Sequence, residues 1–327
     1  MPYAIRVHRP GGPEVLSWEE IDVGRPGPGQ VRLRQRAVGV NFIDVYHRTA
    51  VYPLPTPFVV GQEGAGEVVE VGPGVTELRP GDRVAYAGLM GAYAEERLAT
   101  ADRLVKLPEG ISFETAAAMM LKGMTAEYLL RRTHLVSAGE TILFHAAAGG
   151  VGLIACQWAR ALGATVIGTV GSRQKAELAR SHGCHHVIVT SEEDFVQRVR
   201  EITGGRGVPV VYDSVGQATW HGSLDCLRPR GLFVTFGQSS GKVPPLDVGI
   251  LNQKGSLFLT RPSLGAYTST RADLLESAGA LFERVLSGEV RIEVNQRYPL
   301  AEAAQAQRDL EARKTTGSTV LICSAFP

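Results

Sequence analysis

The sequence predicts an α/β protein: a doubly wound parallel sheet joined to a second, β-rich domain. Strand and helix patterns alternate from Thr141 to Thr260, which argues for a parallel sheet with helices on both faces. A turn of small residues, HAAAGGVG (145–152), joins the first of those strands to its helix. Up to about Ser112 the chain reads instead as short strands punctuated by PGG, GRPGPG, VGPG and RPGD.

Within that first stretch, VRLRQRAVGV (31–40) alternates like a half-buried strand, and GEVVEVG (66–72) is another. FETAAAMMLKGMTAEYLL then has helical spacing and no turn signal until it ends. The alternation proper begins with strand TILFHA (141–146), a helix over 151–162 and strand TVIGTV (165–170). A helix over 174–182, strand HVIVT (186–190), helix DFVQRVREIT (194–203) and strand VPVVYDSV (208–215) continue it. A helix over 220–227 and strands GLFVTFG (231–237) and SLFLT (256–260) close it. The tail is mixed: helix ADLLESAGALFERVLSG, strand EVNQRYPL, helix AEAAQAQRDLEARK and strand STVLIC. It is expected to rejoin the first domain, giving one domain from 1–122 with 262–327 and another from 123–261.

A length of 327 residues is too long for one ordinary core. The hydrophobic share of 44% and the net charge of +1 describe a soluble globular protein with no nucleic-acid or membrane surface. The opening MPYAIRVHRPGG lacks the apolar core of a signal peptide, and no apolar run is long enough to span a bilayer. Cys156, Cys184, Cys226 and Cys323 are scattered, without CxxC or metal-ligand spacing. Reduced thiols and a cytoplasmic location are expected; Cys156, in a helical pattern, is expected in the core.

Ala147, Gly149 and Gly152 occupy the spacing of the Rossmann dinucleotide fingerprint G-x-G-x-x-G, with Ala in first place. The first small residue permits a tight turn and the second a close approach of backbone to a pyrophosphate. The third permits close helix–strand packing, while Gly150 and Val151 open the helix whose N-terminus faces the anion. About 20 residues on, an NAD-binding chain would carry a carboxylate for the ribose hydroxyls. VGSRQK (170–175) has none. Gly171 leaves room, Ser172 offers a hydroxyl, and Arg173 and Lys175 offer charge for a 2′-phosphate. The cofactor expected is NADPH.

The chain resembles the medium-chain dehydrogenases/reductases, and among them the zinc-free quinone oxidoreductases that include zeta-crystallin. The resemblance runs end to end. It rests on HRPGGPEVL (8–16), GVNFIDVYHR (39–48), GQEGAGEV (61–68), RPGDRV (79–84), LKGMTAEYLL (121–130), HAAAGGVG (145–152), VVYDSVG (210–216), ILNQKGS (250–256) and TRPSL (260–264). It implies a GroES-like first domain and an NADPH-dependent quinone reductase working in an interdomain cleft. Zinc-dependent relatives carry a Cys within G-x-C-x-x-D and a His within G-H-E. Here those segments read Gly39-Val40-Asn41-Phe42-Ile43-Asp44 and Gly61-Gln62-Glu63. Amides do not suit Zn²⁺, so no metal is expected, and a zinc-assisted alcohol dehydrogenase mechanism falls with it.

By the same resemblance Asn41, Tyr46 and Tyr52 line the reactant slot, where an amide and two phenols can hydrogen-bond quinone oxygens or a developing enolate. Cofactor contacts are implied for Asn41, Ile43, Asp44, Thr125, Thr190, Ser214, Gly216, Gly237, Gln238 and Ser239, with Arg313 reaching the 2′-phosphate. Lys122 either is structural or steers phosphate. His47 is expected at the surface and His145 as a satisfied core residue. SLFLT (256–260) is read as a sheet edge that pairs with a second copy to make a homodimer. The alternatives are an NADPH-dependent enone or enoyl reductase on the same scaffold and a non-catalytic, crystallin-like NADPH-binding protein.

Overall fold

The computed structural model describes residues 1–323. They form two compact units. One comprises Met1–Met124, Thr268–Leu286 and the chain from Ile292; the other comprises Thr125–Tyr267 with Ser287–Arg291.

In chain order the elements begin with strands β1 (Tyr3–Val7), β2 (Leu16–Glu20) and β3 (Gln30–Val40), then helix α1 (Phe42–Arg48). Strands β4 (Phe58–Val59), β5 (Glu63–Val71), β6 (Arg83–Ala87), β7 (Glu96–Thr100) and β8 (Val105–Lys106) lead to helix α2 (Phe113–Tyr128). There follow β9 (Thr141–Phe144), α3 (Gly150–Ala161), β10 (Thr165–Val170), α4 (Arg173–Ser181), β11 (His186–Val189) and α5 (Phe195–Ile202). Next come β12 (Val208–Asp213), α6 (Trp220–Asp225), β13 (Leu227–Thr235), α7 (Gly249–Gln253), β14 (Phe258–Thr260) and α8 (Leu264–Tyr267). The chain finishes with α9 (Arg271–Leu286), β15 (Val294–Pro299), α10 (Ala303–Glu311) and β16 (Ser318–Ile322).

The alternation in β3 does what it predicts. Val31, Leu33, Gln35 and Ala37 are buried, while Arg32 and Arg34 turn outward to share Glu96 and Arg36 pairs with Glu67. One edge of β3 pairs with β5, the other with β7 along its first half and with β16 along its second. That last pairing returns the tail to the first unit's sheet, ordered β15-β16-β3-β5-β6-β8. Ile5, Leu33, Val68, Val84, Tyr93 and Leu321 fill the core between this sheet and the smaller β2-β1-β4 sheet. Each large apolar side chain buried there contributes about 1.5–3 kcal/mol.

The second unit is built on one parallel sheet, ordered β11-β10-β9-β12-β13-β14. Strand order reverses between β9 and β12, the switch point where open α/β sheets open a crevice at their carboxyl ends. Leu143, Ile167, Ile188, Val211 and Phe233 pack beneath the helices. β14 is the sheet edge, with Phe258 60% and Leu259 42% exposed. Among the described residues no helix is long and apolar enough to cross a membrane.

Two readings need correction. The segment after β3 is a seven-residue helix, α1, which the sequence pattern did not reveal. His47, on that helix, is buried rather than at the surface. Cys156 and His145 do lie in the core.

Candidate active site

The turn after β9 is tight because its residues are small. Ala147 is fully buried and its N–H donates to Thr169 O at 2.9 Å; the left-handed position is taken by Ala146, at φ 54°. Gly149 caps α3, and Gly150 and Val151 begin it. A Cβ on Gly152 would lie 2.4 Å from Ala146 O and 2.7 Å from Ala147 Cα, so only glycine lets the helix start this close to the strand. A Cβ on Gly168 of β10 would lie 2.7 Å from that of Ala147, closing the other side of the turn. The first-turn N–H groups of α3 have no partner within the helix, which makes this end of the helix suited to an anion.

The remaining nucleotide candidates of this unit, Thr125 apart, follow the same ends of neighbouring strands. Gly171 and Ser172 follow β10, Thr190 follows β11, Ser214 and Gly216 follow β12, and Gly237, Gln238 and Ser239 follow β13. The last two loops interlock. Ser239 N–H donates to Ser214 O at 3.1 Å, and Cβ atoms on Gly237 or Gly216 would strike Ser214 O or Gly241 O. Arg261, from TRPSL, spans Thr235 O, Gly237 O and Gln238 Oε1 at 3.2–3.4 Å. Asp213, unremarked in the sequence, holds the β12 loop. Its Oδ1 accepts from Val215 and Gly216 N–H and its Oδ2 from Thr219 and Ser223 hydroxyls, at 2.7–3.1 Å. His145 joins this network through Ser223 Oγ and Thr169 Oγ1, and burial pushes its pKa down.

Space and charge meet after β10. A Cβ on Gly171 would touch nothing within 4 Å. Ser172 caps α4, accepting from Lys175 N–H at 3.4 Å. Arg173, its side chain 84% exposed, pairs with Glu192 at 2.9 Å. Lys175 lies in the first turn of α4. Thr190 is spent locally, its Oγ1 donating to Val170 O at 3.2 Å. Thr125 is buried in α2. Arg313 belongs to the first unit, in a left-handed turn after α10 at φ 58°.

The first unit gathers the reactant-slot candidates around α1. Asp44 reaches back to accept Asn41 N–H at 2.9 Å, as in a capping box, and also accepts from Tyr93 O–H at 2.9 Å. Burial pushes the Asp44 carboxyl up to about 7, against those hydrogen bonds and the Lys122 charge. Asn41 Nδ2 donates to Glu63 Oε2 at 2.8 Å, and Lys122 Nζ meets the same oxygen at 2.9 Å. Lys122 is thus paired in the interior. Tyr46 and Tyr52 stand edge to face with ring centroids 5.5 Å apart, both half-buried, and Ile43 is half-buried beside them on α1. His47 donates from Nδ1 to Tyr52 O at 3.2 Å and accepts from Gln62 Nε2 at 2.8 Å, fixing the neutral tautomer; burial lowers its pKa, consistent with that state. Lys122, His47 and Glu63 are visible in the sequence, but their pairings are not, because the partners lie 15–59 residues away.

This donor set does not fit zinc. Both amide nitrogens that replace the relatives' ligands are spent as donors, Asn41 to Glu63 and Gln62 to His47. Among the described residues no group of three or more His, Cys, Asp or Glu could hold a metal ion. The nucleotide edge is compatible with NADPH: glycines where a Cβ would clash, open space at Gly171, and Lys175 in the first turn of the helix that follows.

Residues 27–109 match the family described as alcohol dehydrogenase GroES-like domain, and 150–280 that described as zinc-binding dehydrogenase. The chain is 57% identical, over 95% of its length and 97% of theirs, to a quinone oxidoreductase of Pseudomonas aeruginosa. It is 50% identical, over 99% of its length and 100% of the relative, to a 2-haloacrylate reductase of a Burkholderia species. The crystal structure of Escherichia coli quinone oxidoreductase complexed with NADPH superposes with a TM-score of 0.96 at 52% identity, covering 98% of this chain and 99% of that one. With this end-to-end similarity added to the fold and the fingerprint, the chain belongs to the quinone oxidoreductase family of the medium-chain dehydrogenase/reductase superfamily.

Proposed function

We propose that the protein is an NADPH-dependent, zinc-independent quinone reductase, catalysing quinone + NADPH + H⁺ → hydroquinone + NADP⁺. The observation that carries this is 57% identity over nearly the whole chain to a quinone oxidoreductase, in a chain that keeps the NADPH-compatible edge described above. Reduced nicotinamide supplies the hydride; the protein supplies binding and orientation. Residues 123–261 would hold the nucleotide, with Ala147, Gly149, Gly150, Val151 and Gly152 at the pyrophosphate and Gly171, Ser172, Arg173 and Lys175 at the adenosine phosphate. Thr125, Thr190, Ser214, Gly216, Gly237, Gln238, Ser239 and Arg313 complete the cofactor set in this reading. Residues 1–122 with 262–327 would bind the acceptor. The Tyr46 and Tyr52 hydroxyls would donate to its oxygens. Asn41, its Nδ2 held by Glu63, would present Oδ1 as an acceptor to the cofactor and to the hydroquinone O–H. Ile43 and Asp44 would join Asn41 at the cofactor, and water would deliver the proton.

Steady-state NADPH oxidation with a quinone tests the reading. Turnover should persist after exhaustive treatment with a chelator, and elemental analysis should find no stoichiometric zinc. About one zinc per chain, with activity lost on its removal, would contradict the assignment. The 50% identity to a 2-haloacrylate reductase supports a second reading, in which the acceptor is an activated alkene.

We further propose a homodimer, in the cytoplasm, formed by joining β14 edges of two copies into one sheet. Phe258 and Leu259 are exposed on an edge with unpaired backbone groups, an arrangement that invites strand pairing. Sedimentation should give a dimer at micromolar concentration and a monomer for Leu259→Lys. A monomeric wild type would rule it out.

A further inference from the structure

We propose that Glu63 and Lys122 are positioning residues for Asn41, their ion pair fixing which end of the Asn41 carboxamide faces the reactants. This rests on the quinone-reductase reading and goes beyond it. Three elements converge on one buried carboxylate: Asn41 follows β3, Glu63 begins β5, and Lys122 lies in α2. Glu63 is fully buried, Lys122 and Asn41 nearly so. Glu63 Oε2 accepts from Asn41 Nδ2 and Lys122 Nζ, and its Oε1 accepts from Leu121 N–H at 2.8 Å. All three partners are donors, so only an ionised carboxylate satisfies them together.

An Asn amide can be turned over at little cost when its neighbours are neutral. Here a turned amide would set its oxygen against the Glu63 carboxylate and lose a charge-assisted hydrogen bond. The nitrogen end is therefore pinned. The approach is built in: a Cβ on Gly39 would lie 2.1 Å from Glu63 Oε2 and 2.3 Å from Ala117 O, so the carboxylate fits only against glycine. A buried carboxylate without a countercharge is costly, and Lys122 supplies that countercharge at 2.9 Å. The other ionisable groups facing Glu63 are Asp44 on α1, Tyr86 on β6 and Tyr93 before β7. None is a cation, so Lys122 has no understudy among them.

The test is quinone turnover in Lys122→Met and Glu63→Gln, with kcat and KM for NADPH separated. Lys122→Met should lower kcat about tenfold or more, as loss of a charge-assisted hydrogen-bond partner does, with KM for NADPH little changed. Glu63→Gln, which turns an N–H toward a donor, should lower kcat at least as far. In an Asn41→Ala background Lys122→Met should have little further effect, because the pair acts through Asn41. Circular dichroism and thermal unfolding establish that each variant is folded, and Lys122→Gln replaces Lys122→Met if the latter is not. A loss confined to KM for NADPH, or undiminished without Asn41, overturns the proposal. Absence of wild-type quinone turnover overturns the activity reading and this inference with it.

Discussion

Lys175→Ala is expected to weaken NADPH binding about ten- to a hundredfold while leaving NADH nearly untouched. The physical basis is a charge-assisted hydrogen bond to the adenosine 2′-phosphate, worth about 1.5–3 kcal/mol. Lys175 stands in the first turn of α4, where the helix dipole already favours an anion. Arg173 should matter less. Its guanidinium is exposed and shared with Glu192, and exposed pairs contribute at most about 1 kcal/mol and are screened by salt. Arg173→Ala should therefore give a small loss that shrinks further at high ionic strength. Gly171→Asp should go beyond either, because the space around that Cα is open. Its carboxylate would repel the phosphate and offer NADH a ribose partner. Dissociation constants for both cofactors, by calorimetry, check all three variants. Equal weakening of NADH and NADPH by Lys175→Ala would reduce Lys175 to a helix-surface charge.

The second large effect concerns Asp44 and pH. Its carboxyl is raised from the ordinary 3.8 to about 7, so between those values the folded chain holds a proton that the unfolded chain has released. Stability contributed by this group is therefore fully present below the lower value and is lost as pH rises toward the upper one. The loss amounts to a few kcal/mol, at about 1.4 kcal/mol per pH unit. Asp44→Asn has no proton to lose. Urea unfolding of both forms should show wild-type stability falling relative to the variant across that window and levelling off beyond it. A difference that stays constant from acid to neutral pH would place the Asp44 titration elsewhere.

Legibility in the sequence followed the range of the interactions. The fingerprint turn could be read because each position answers to backbone sterics within a few residues, as the predicted clash at Gly152 illustrates. β3 could be read because its two faces meet different surroundings, Leu33 the apolar core and Arg34, itself partly exposed, a carboxylate on the opposite face. Helix α1 escaped notice: at seven residues it is too short to establish a period. The same brevity concealed that His47 turns inward to Gln62. The charge of Arg173 was evident, yet its partner Glu192, 19 residues on, depends on how two loops lie side by side. Lys122 and Glu63 were each visible as residues; their pairing with Asn41 depends on three elements meeting, which no local pattern encodes.

Rapid mixing of the protein, NADPH and phenanthrenequinone, with absorbance followed through a single turnover, tests the central claim most directly. One NADPH should be consumed per quinone reduced to hydroquinone, at a rate unchanged by prior chelation and far slower with Lys175→Ala at the same subsaturating NADPH. NADPH left intact with the quinone but consumed with 2-chloroacrylate would transfer the assignment to activated alkenes. NADPH bound yet consumed with neither would contradict the assignment of any reductase activity to this chain.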